Sequence, residues 1–360
     1  MKDRAGLKEN GQGPQVRVIF ARKKFRFSDW FAEKFIKSVA FMSIAVVIMI
    51  FVFVFREAFP IFRIDNIEKA KTSEVLVQST YGVDEQTTGD SKSAVSAEEP
   101  TAGQAVSAPS STLLSKTWLP VSDNPRYGLW PLFLGTLKVT LIAILFAAPI
   151  AIMAAIYTSM FARPSVREVI KPVIELLAGF PSVVIGFFAL MVLATFFQNI
   201  FGYSSRLNSF VGGIAMALAA IPIIYTLTED ALTAVPKTYI EASLGLGASL
   251  RQTAFHVVLP AAVPGVFAAI ILGIGRIFGE TMIALMATGN AALSNVNPFD
   301  SVRTLSATIG AEMAEVVFGD THYSVLFFIG ALLFIFTFTL NAIAEFYFKN
   351  LVVRRFQSKK

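Results

Sequence analysis

The sequence predicts an all-α integral membrane protein with about six transmembrane helices. Hydrophobic residues make up 54% of the 360-residue chain, charged residues only 16%, and the mean hydropathy is +0.62. One soluble core does not require such an apolar excess. Crossing a hydrocarbon core about 30 Å thick takes about 20 apolar residues. Six stretches meet this length, at residues 37–57, 131–157, 172–197, 210–230, 263–288 and 323–348.

The distribution of basic residues predicts which loops are cytoplasmic. Residues 1–38 hold ten Lys/Arg against four Asp/Glu, and the whole chain carries a formal net charge of +6. Lys and Arg recur after the second, fourth and sixth apolar stretches, at Arg163, Arg167, Lys171, Lys237, Arg251 and in the tail 349–360. The positive-inside rule therefore places both termini in the cytoplasm. Because the excess charge lies beside an apolar stretch, we expect contact with membrane lipid and not with nucleic acid.

These assignments divide the chain into five parts. They are a basic cytoplasmic tail (1–36), a first transmembrane helix (37–57), an extracytoplasmic loop (58–130), a membrane core (131–350) and a basic cytoplasmic tail (351–360). Within the loop, residues 65–116 are polar and poor in aromatic residues. They cannot bury enough apolar surface to offset their ordering entropy, so we expect them to be largely disordered.

The composition also excludes several kinds of chemistry. The chain has no cysteine and only two histidines, so neither a thiolate site nor a histidine-rich metal centre is expected. It contains no G-x-x-x-x-G-K-[ST] loop for ATP. The run Gly273–Gly279 lies inside an apolar stretch and lacks the lysine, so its glycines indicate close helix packing. We predict no catalytic residue, metal or cofactor on this chain.

A loop after the fourth apolar stretch predicts a helical hairpin. Residues 237–246 and 249–258 are each compatible with a short helix, and Pro260 is expected to end the second one. Between them, Gly247 permits the positive φ that a sharp turn requires. An ordinary amphipathic hairpin at the membrane interface remains the alternative.

This loop, residues 237–260, resembles the EAA motif of ABC importer permeases. The matching positions are Glu241, Ala242, Gly247, Leu259 and Pro260, while Ser243 and Val257 are mild departures. The resemblance implies a type I ABC importer permease fold. It also implies that the loop docks in a groove of a separate ATPase subunit, which binds the ATP and Mg that this chain cannot.

The fifth apolar stretch carries Arg276, Glu280 and Thr281. If the helix starts at residue 263, Arg276 lies about 20 Å along it, near the midplane. A cation at that depth costs about 3 kcal/mol or more, so we expect it to face protein, water or an anion. Two interpretations stay open: a contact with an anionic substrate, or an Arg276–Glu280 pair that fixes helix packing.

Further segments resemble PstC-type permeases of phosphate uptake systems. Arg276–Met282 is similar to their R-x-x-G-E-T-M segment, and Arg303–Leu305 to their R-T-L segment. The resemblance covers residues 117–350. It implies a permease in the bacterial inner membrane, with Arg276, Glu280 and Thr281 on the phosphate path. Arg303 would guide the anion at the outer gate, or else be a solvated loop cation.

The same resemblance implies a set of partners. They are a PstA-type permease as the other half of a heterodimer, two PstB-type ATPases and a PstS-type phosphate-binding protein. A PstA-type permease or a permease for sulfate or molybdate would share the EAA loop. An ion-coupled secondary transporter or channel would show inverted repeats or a filter sequence, and neither is evident. A membrane scaffold would leave Arg276 unexplained.

Two smaller predictions concern the helices themselves. Pro149, Pro181 and Pro222 fall inside the second, third and fourth apolar stretches, where we expect kinks. Lys171 and Glu175 lie near the cytoplasmic end of the third stretch, where we expect them to form an interfacial pair.

The predicted topology can be tested by thiol labelling, because the natural chain lacks cysteine. In intact cells an impermeant thiol reagent should label Ser93→Cys, in the outer loop, and should spare Ser249→Cys, in the cytoplasmic hairpin. The opposite labelling pattern would show that the orientation is wrong.

Overall fold

A computed structural model of the chain describes residues 27–61, 113, 115–122 and 125–357. The chain divides into two units, Met1–Val52 and Phe53–Lys360. The described part of the first unit is helical. Residues 1–26 and 62–112 lie outside the described residues, so most of the basic tail and the prediction of disorder at 65–116 stay predictions.

The described residues form twelve α-helices and one short β-hairpin. The helices are α1 (Phe27–Ala58), α2 (Leu129–Ile156), α3 (Pro164–Ala178), α4 (Ser182–Phe188), α5 (Ala194–Phe201), α6 (Ser209–Thr233), α7 (Lys237–Gly245), α8 (Leu250–Thr253), α9 (Leu259–Phe278), α10 (Met282–Ala287), α11 (Leu305–Glu312) and α12 (Thr321–Gln357). The antiparallel strands are β1 (Trp118–Leu119) and β2 (Arg126–Tyr127). Three π-helical turns, at Tyr157–Phe161, Ala189–Leu193 and Ala254–Val258, extend or join neighbouring α-helices.

Six helical segments are long and apolar enough to cross a membrane, which confirms the predicted fold class. They are Glu33–Ala58, Leu129–Phe161, Ser182–Phe201, Ser209–Thr233, Leu250–Phe278 and Thr321–Phe346. Four of them agree with the predicted stretches to within a few residues. The third and fifth differ, and both differences have local causes.

The third predicted stretch, 172–197, is wrong because it combines two separate helices. The amphipathic helix α3 ends at Ala178, and α4 begins only at Ser182. Pro181 has no amide hydrogen and disfavours a helical conformation in the residue before it, so the chain breaks there. Pro181 therefore precedes a helix and does not kink one. Pro149 and Pro222 do lie inside helices, as predicted.

The fifth predicted stretch, 263–288, begins too late and runs through a break. Helical structure starts at Leu250 and passes Pro260 by a π turn, in which the Leu259 amide donates to the Ala254 carbonyl five residues back. This wider turn lets Pro260 sit at the start of α9, so the prediction that Pro260 ends a helix is wrong. The helix then ends at Phe278, and α10 begins at Met282.

Contacts between the helices show that their directions alternate. Helix α6 runs parallel to α2 and the π turn that extends it. Gly213 packs on Ile142, and twelve residues later along α6 the Tyr225 hydroxyl donates to Thr158 Oγ1 (3.0 Å), so the contacts follow in the same order along both segments. Helix α9 is antiparallel to α6, since Ile224 packs on Gly273 while the Ala219 carbonyl lies beside Arg276. Alternation of this kind is what successive membrane crossings require.

Close packing at α2 supplies a test of the fold. A Cβ added at Gly135 would stand 2.3 Å from the Arg303 carbonyl oxygen, so backbone must move to admit it. We expect Gly135→Ala to lower the free energy of unfolding by about 1–3 kcal/mol. Gly245→Ala is the control, because nothing lies within 4 Å of a Cβ there. Thermal unfolding in detergent measures both, and equal stability of the two variants would contradict the α2 packing.

Candidate coupling and translocation sites

The predicted helical hairpin is present between α6 and α9. Helix α7 ends at Gly245, and Gly247 has a φ of 85°, as its role in the turn predicted. Ser249 then begins α8 with a capping box: its hydroxyl accepts from the Gln252 amide (3.3 Å), and its own amide donates to Gln252 Oε1 (2.8 Å). These local interactions fix both helix ends at the turn.

A hydroxyl pair joins the two arms of this hairpin. Ser243 and Thr253 are hydrogen bonded across it (3.0 Å), and Thr253 is fully buried. Sequence reasoning treated Ser243 as a mild departure from the alanine of the motif. In the structure its hydroxyl cross-links α7 to α8, which stiffens the hairpin.

The outer surface of the hairpin is free of contacts that would bury it. Helix α7 has no buried residue, Glu241 and Ala242 are exposed, and Leu246 at its tip is 90% exposed. Leu244 and Leu250 beside it are also exposed, so the tip presents a group of apolar side chains of the kind found at interaction surfaces. The hairpin is therefore a rigid, exposed projection.

A cavity of about 670 Å³ lies directly behind the hairpin, between α6, α9 and α12. Its lining includes Val235 and Ala261, which flank the hairpin, and is mostly alanine and other apolar residues. Asp230, Asn341 and Glu345 are its polar members. The cavity therefore lies beside the points at which the hairpin joins α6 and α9.

Arg276 and Glu280 do not form an ion pair, which was one of the two interpretations that the sequence left open. Arg276 lies in the last turn of α9, and Glu280 lies beyond its end, so four-residue spacing no longer puts both on one helix face. Among the ion pairs of the described residues, none joins them. The Arg276 side chain is exposed, and its Nε makes one long hydrogen bond to the Ala219 carbonyl (3.4 Å).

The helix end also changes where Arg276 sits. The estimate of a midplane position assumed a helix that began at residue 263. Helical structure begins at Leu250, and α9 ends at Phe278, two residues after Arg276. Arg276 therefore occupies a helix C-terminus, where unpaired carbonyl groups favour a cation. This placement lowers the cost of the guanidinium without a carboxylate partner.

The break after α9 is held by α11. Ser306 Oγ donates to the Glu280 carbonyl (2.7 Å), which replaces a hydrogen bond that the helix has lost. Thr281 packs against Gly310, where a Cβ would stand 2.5 Å from the Thr281 methyl group. Helix α11 thus fixes Glu280 and Thr281 next to Arg276.

Arg303 is not a solvated loop cation, so that alternative is wrong. Its side chain is only 16% exposed and forms an ion pair with Glu312. Its Nε donates to Asn290 Oδ1 (3.0 Å), and Asn290 adopts a positive φ of 49° to present this oxygen. A role for Arg303 in guiding an anion stays a prediction, which now has to account for Glu312.

Glu312 accepts three donors from three separate elements. Besides Arg303, Trp118 Nε1 of β1 donates to it (3.1 Å), and His322 Nε2 of α12 lies 3.0 Å from its Oε2. Burial acts to raise the pKa of Glu312, but hydrogen bonds from His322 and Trp118 and the charge of Arg303 outweigh it and lower the pKa. The Glu312 carboxylate therefore stabilises the fold fully at a pH above the ordinary pKa of a glutamate. This stabilisation is lost as the pH falls through the lowered pKa of the folded state.

A second carboxylate cluster lies at the other end of the helices, and sequence reasoning missed it. Glu229 on α6 is 1% exposed and pairs with Arg167 and with Lys171 (2.9 Å), both on α3. The prediction that Lys171 pairs with Glu175 is wrong, because Lys171 faces α6. The spacing of the two cations, one turn apart, indicated a shared face, but no sequence signal identified a partner 58 residues away.

This cluster can be tested by removing its central charge. Glu229→Gln should lower the free energy of unfolding by about 3 kcal/mol. This value is at the lower end of the cost of about 3–5 kcal/mol for breaking a buried ion pair, because both cations are 39% exposed and can regain water. The control is Asp230→Asn at the exposed neighbouring position, expected to change it by less than about 0.5 kcal/mol. Equal destabilisation in thermal unfolding would contradict the role of Glu229.

Comparison with known proteins identifies a family. Residues 147–356 match the family described as binding-protein-dependent transport system inner membrane component. The probable ABC transporter permease YqgH of Bacillus subtilis is 35% identical over 226 residues, which cover 63% of this chain and 73% of YqgH. The phosphate transport permease PstC of Mesorhizobium japonicum is 32% identical over 255 residues, covering 66% of this chain and 77% of PstC.

A solved structure, the inward-facing MetNI methionine ABC transporter, is also similar, with 19% identity and a TM-score of 0.46 over 62% of this chain and 94% of that chain. The family match alone covers more than half of the sequence. The chain therefore belongs to the family of binding-protein-dependent transport system inner membrane components.

Proposed function

We propose that this chain is the PstC-type permease of an ATP-driven phosphate importer and forms half of its translocation pathway. The observation that carries the proposal is Arg276, an exposed guanidinium in the last turn of an apolar helix, with no carboxylate partner among the described residues. PstC proteins of several bacteria are among the relatives, which makes phosphate the best-supported anion.

The chemistry of Arg276 suits an oxyanion. A guanidinium offers fixed parallel donors that match phosphate oxygens, and it stays charged at every physiological pH. A cation exposed on an apolar surface is costly, so it has to face water, a partner chain or an anion. Glu280, fixed nearby by α11, keeps the local charge low enough for the anion to leave again.

The exposed hairpin supplies the coupling element. A rigid projection with an exposed Leu246 at its tip fits a groove on a separate ATPase, and α7 is joined directly to the last turn of α6 through Ala234–Pro236. In this proposal a PstA-type permease completes the path, two PstB-type ATPases bind ATP and Mg, and a PstS-type protein delivers phosphate. The complex lies in the bacterial inner membrane with both termini of this chain in the cytoplasm.

Substitution of Arg276 tests the substrate contact. Arg276→Gln should reduce phosphate uptake about tenfold or more, because a hydrogen bond to a charged group is worth about 1.5–3 kcal/mol. The abundance of the assembled complex should stay near normal, since no ion pair with Glu280 is lost. Uptake of labelled phosphate and immunodetection of the complex measure the two quantities.

Two further variants make this test decisive. Arg276→Lys keeps the charge and should retain more uptake than Arg276→Gln. The double variant Arg276→Gln with Glu280→Gln should remain inactive, because it does not restore the anion contact. Recovery of phosphate uptake in the double variant would refute the proposal that Arg276 binds the cargo.

A further inference from the structure

The Glu312 cluster has the composition of an anion-binding pocket. Three nitrogen donors converge on one carboxylate: the guanidinium of Arg303, the indole of Trp118 and the imidazole of His322. The donors come from the loop before α11, from β1 and from the start of α12, so the pocket exists only in the folded chain. A carboxylate accepts, which means that His322 presents Nε2–H to it.

Without these donors, the position of Glu312 would be unfavourable for a negative charge. It is the last residue of α11, where the helix carbonyl groups repel a negative charge. Its side chain is only 14% exposed, so it has also lost most of its hydration. The pocket, and not the local helix, therefore holds this carboxylate in place.

Nothing in the pocket is specific for a carboxylate. Its lining groups are donors directed at two oxygens, and Asn290, in a positive-φ conformation, fixes the guanidinium from behind. A tetrahedral oxyanion such as hydrogen phosphate can accept from the same three donors and leaves further oxygens for water. The side chains of Arg303, Glu312 and His322 are 11–16% exposed and Trp118 is 6% exposed, so only a small movement separates the pocket from solvent.

We propose that this pocket is an oxyanion-binding station and that Glu312 occupies the place of phosphate in this structure. The choice of phosphate rests on the proposed function. Phosphate enters when the carboxylate swings out, and the carboxylate displaces it again afterwards. Competition by a tethered anion keeps the affinity low, which a station on a transport path needs in order to release its cargo.

Displacement of Glu312 has a route to Arg276. Glu312 ends α11, and the other turns of α11 hold the break after α9 through Ser306 and Gly310. Release of the Glu312 end loosens the helix that fixes Glu280 and Thr281. Occupation of the pocket therefore precedes rearrangement at Arg276.

Anion rescue of a truncated side chain tests the pocket. In the purified full-length chain, Glu312→Ala should lower the Tm by several degrees. Acetate, which replaces the fragment removed, and inorganic phosphate should each restore about half of that loss or more in a saturable way at constant ionic strength. Arg303→Gln in the same background should abolish the rescue.

Two controls separate the pocket from other effects. Glu315→Ala removes an exposed carboxylate one turn away and should show neither the Tm loss nor an anion response. Arg276→Gln combined with Glu312→Ala should keep the phosphate response, because the pocket does not contain Arg276. If Glu312→Ala fails to fold, Glu312→Gln replaces it, with phosphate-induced change in Trp118 fluorescence as the readout and Trp118→Phe as the blank.

The outcomes distinguish this inference from the proposed function. The station is overturned if acetate but not phosphate restores the Tm of Glu312→Ala. It is also overturned if the anion response of Glu312→Ala does not exceed that of Glu315→Ala. Both conclusions hold even if the transporter imports phosphate. A phosphate response that requires Arg303 supports the station even in a transporter whose uptake assay fails, in which case the proposed function is overturned instead.

Discussion

The structure depends on one constraint: within a hydrocarbon core, every backbone amide and carbonyl needs a hydrogen-bonding partner. Long helices satisfy it, and the six spans do so. Where a span is interrupted, another part of the chain supplies the missing partner. Ser306 donates to the Glu280 carbonyl at the break after α9, and Arg206 donates to the Leu190 carbonyl within the π turn Ala189–Leu193. At these two points, side chains from elsewhere in the chain therefore support the interruption.

Two buried carboxylates anchor the short helices to this framework. Glu229 ties α3 to the last turn of α6, eight residues before the exposed hairpin begins. Glu312 ties α11 to β1 and α12 at the opposite end. Removing either charge leaves cations without a counterion, which costs more than the pair contributes to stability. Each cluster thus fixes a short helix against a long one.

Single-sequence reasoning predicted the features that local chemistry determines. Apolar length located six spans, and the positive φ of Gly247 followed from the residue type that a sharp turn requires. The breaks were harder to predict. Residues 282–287 of α10 are as apolar as α9, so hydropathy alone could not separate them, and Gly279 suggested close helix packing and not an interruption.

Partners distant in sequence were beyond prediction altogether. Arg303 and Glu312 lie nine residues apart, but Trp118 reaches Glu312 across 194 residues and Lys171 reaches Glu229 across 58. Such pairs depend on how the helices pack, which a single sequence does not encode in any local pattern. The same reason explains why the sequence left an Arg276–Glu280 pair open as one interpretation: the spacing suits a continuous helix, whereas tertiary contacts with α11 stabilise a break.

The central claim is that ATP hydrolysis outside this chain drives phosphate through it by way of the hairpin. The most direct test is ATP-driven phosphate uptake by the complete transporter in proteoliposomes, measured as phosphate moved per ATP hydrolysed, with sulfate as the competing anion. Gly247 and Gly245 form a matched pair, because a Cβ added at either would have nothing within 4 Å, and of the two only Gly247 has a positive φ. The account predicts phosphate uptake by the wild type and by Gly245→Ala. Gly247→Ala should show a reduced ratio, because a left-handed alanine costs about 1–2 kcal/mol at the turn. Uptake of sulfate in preference to phosphate, or an unchanged ratio in Gly247→Ala, would contradict it.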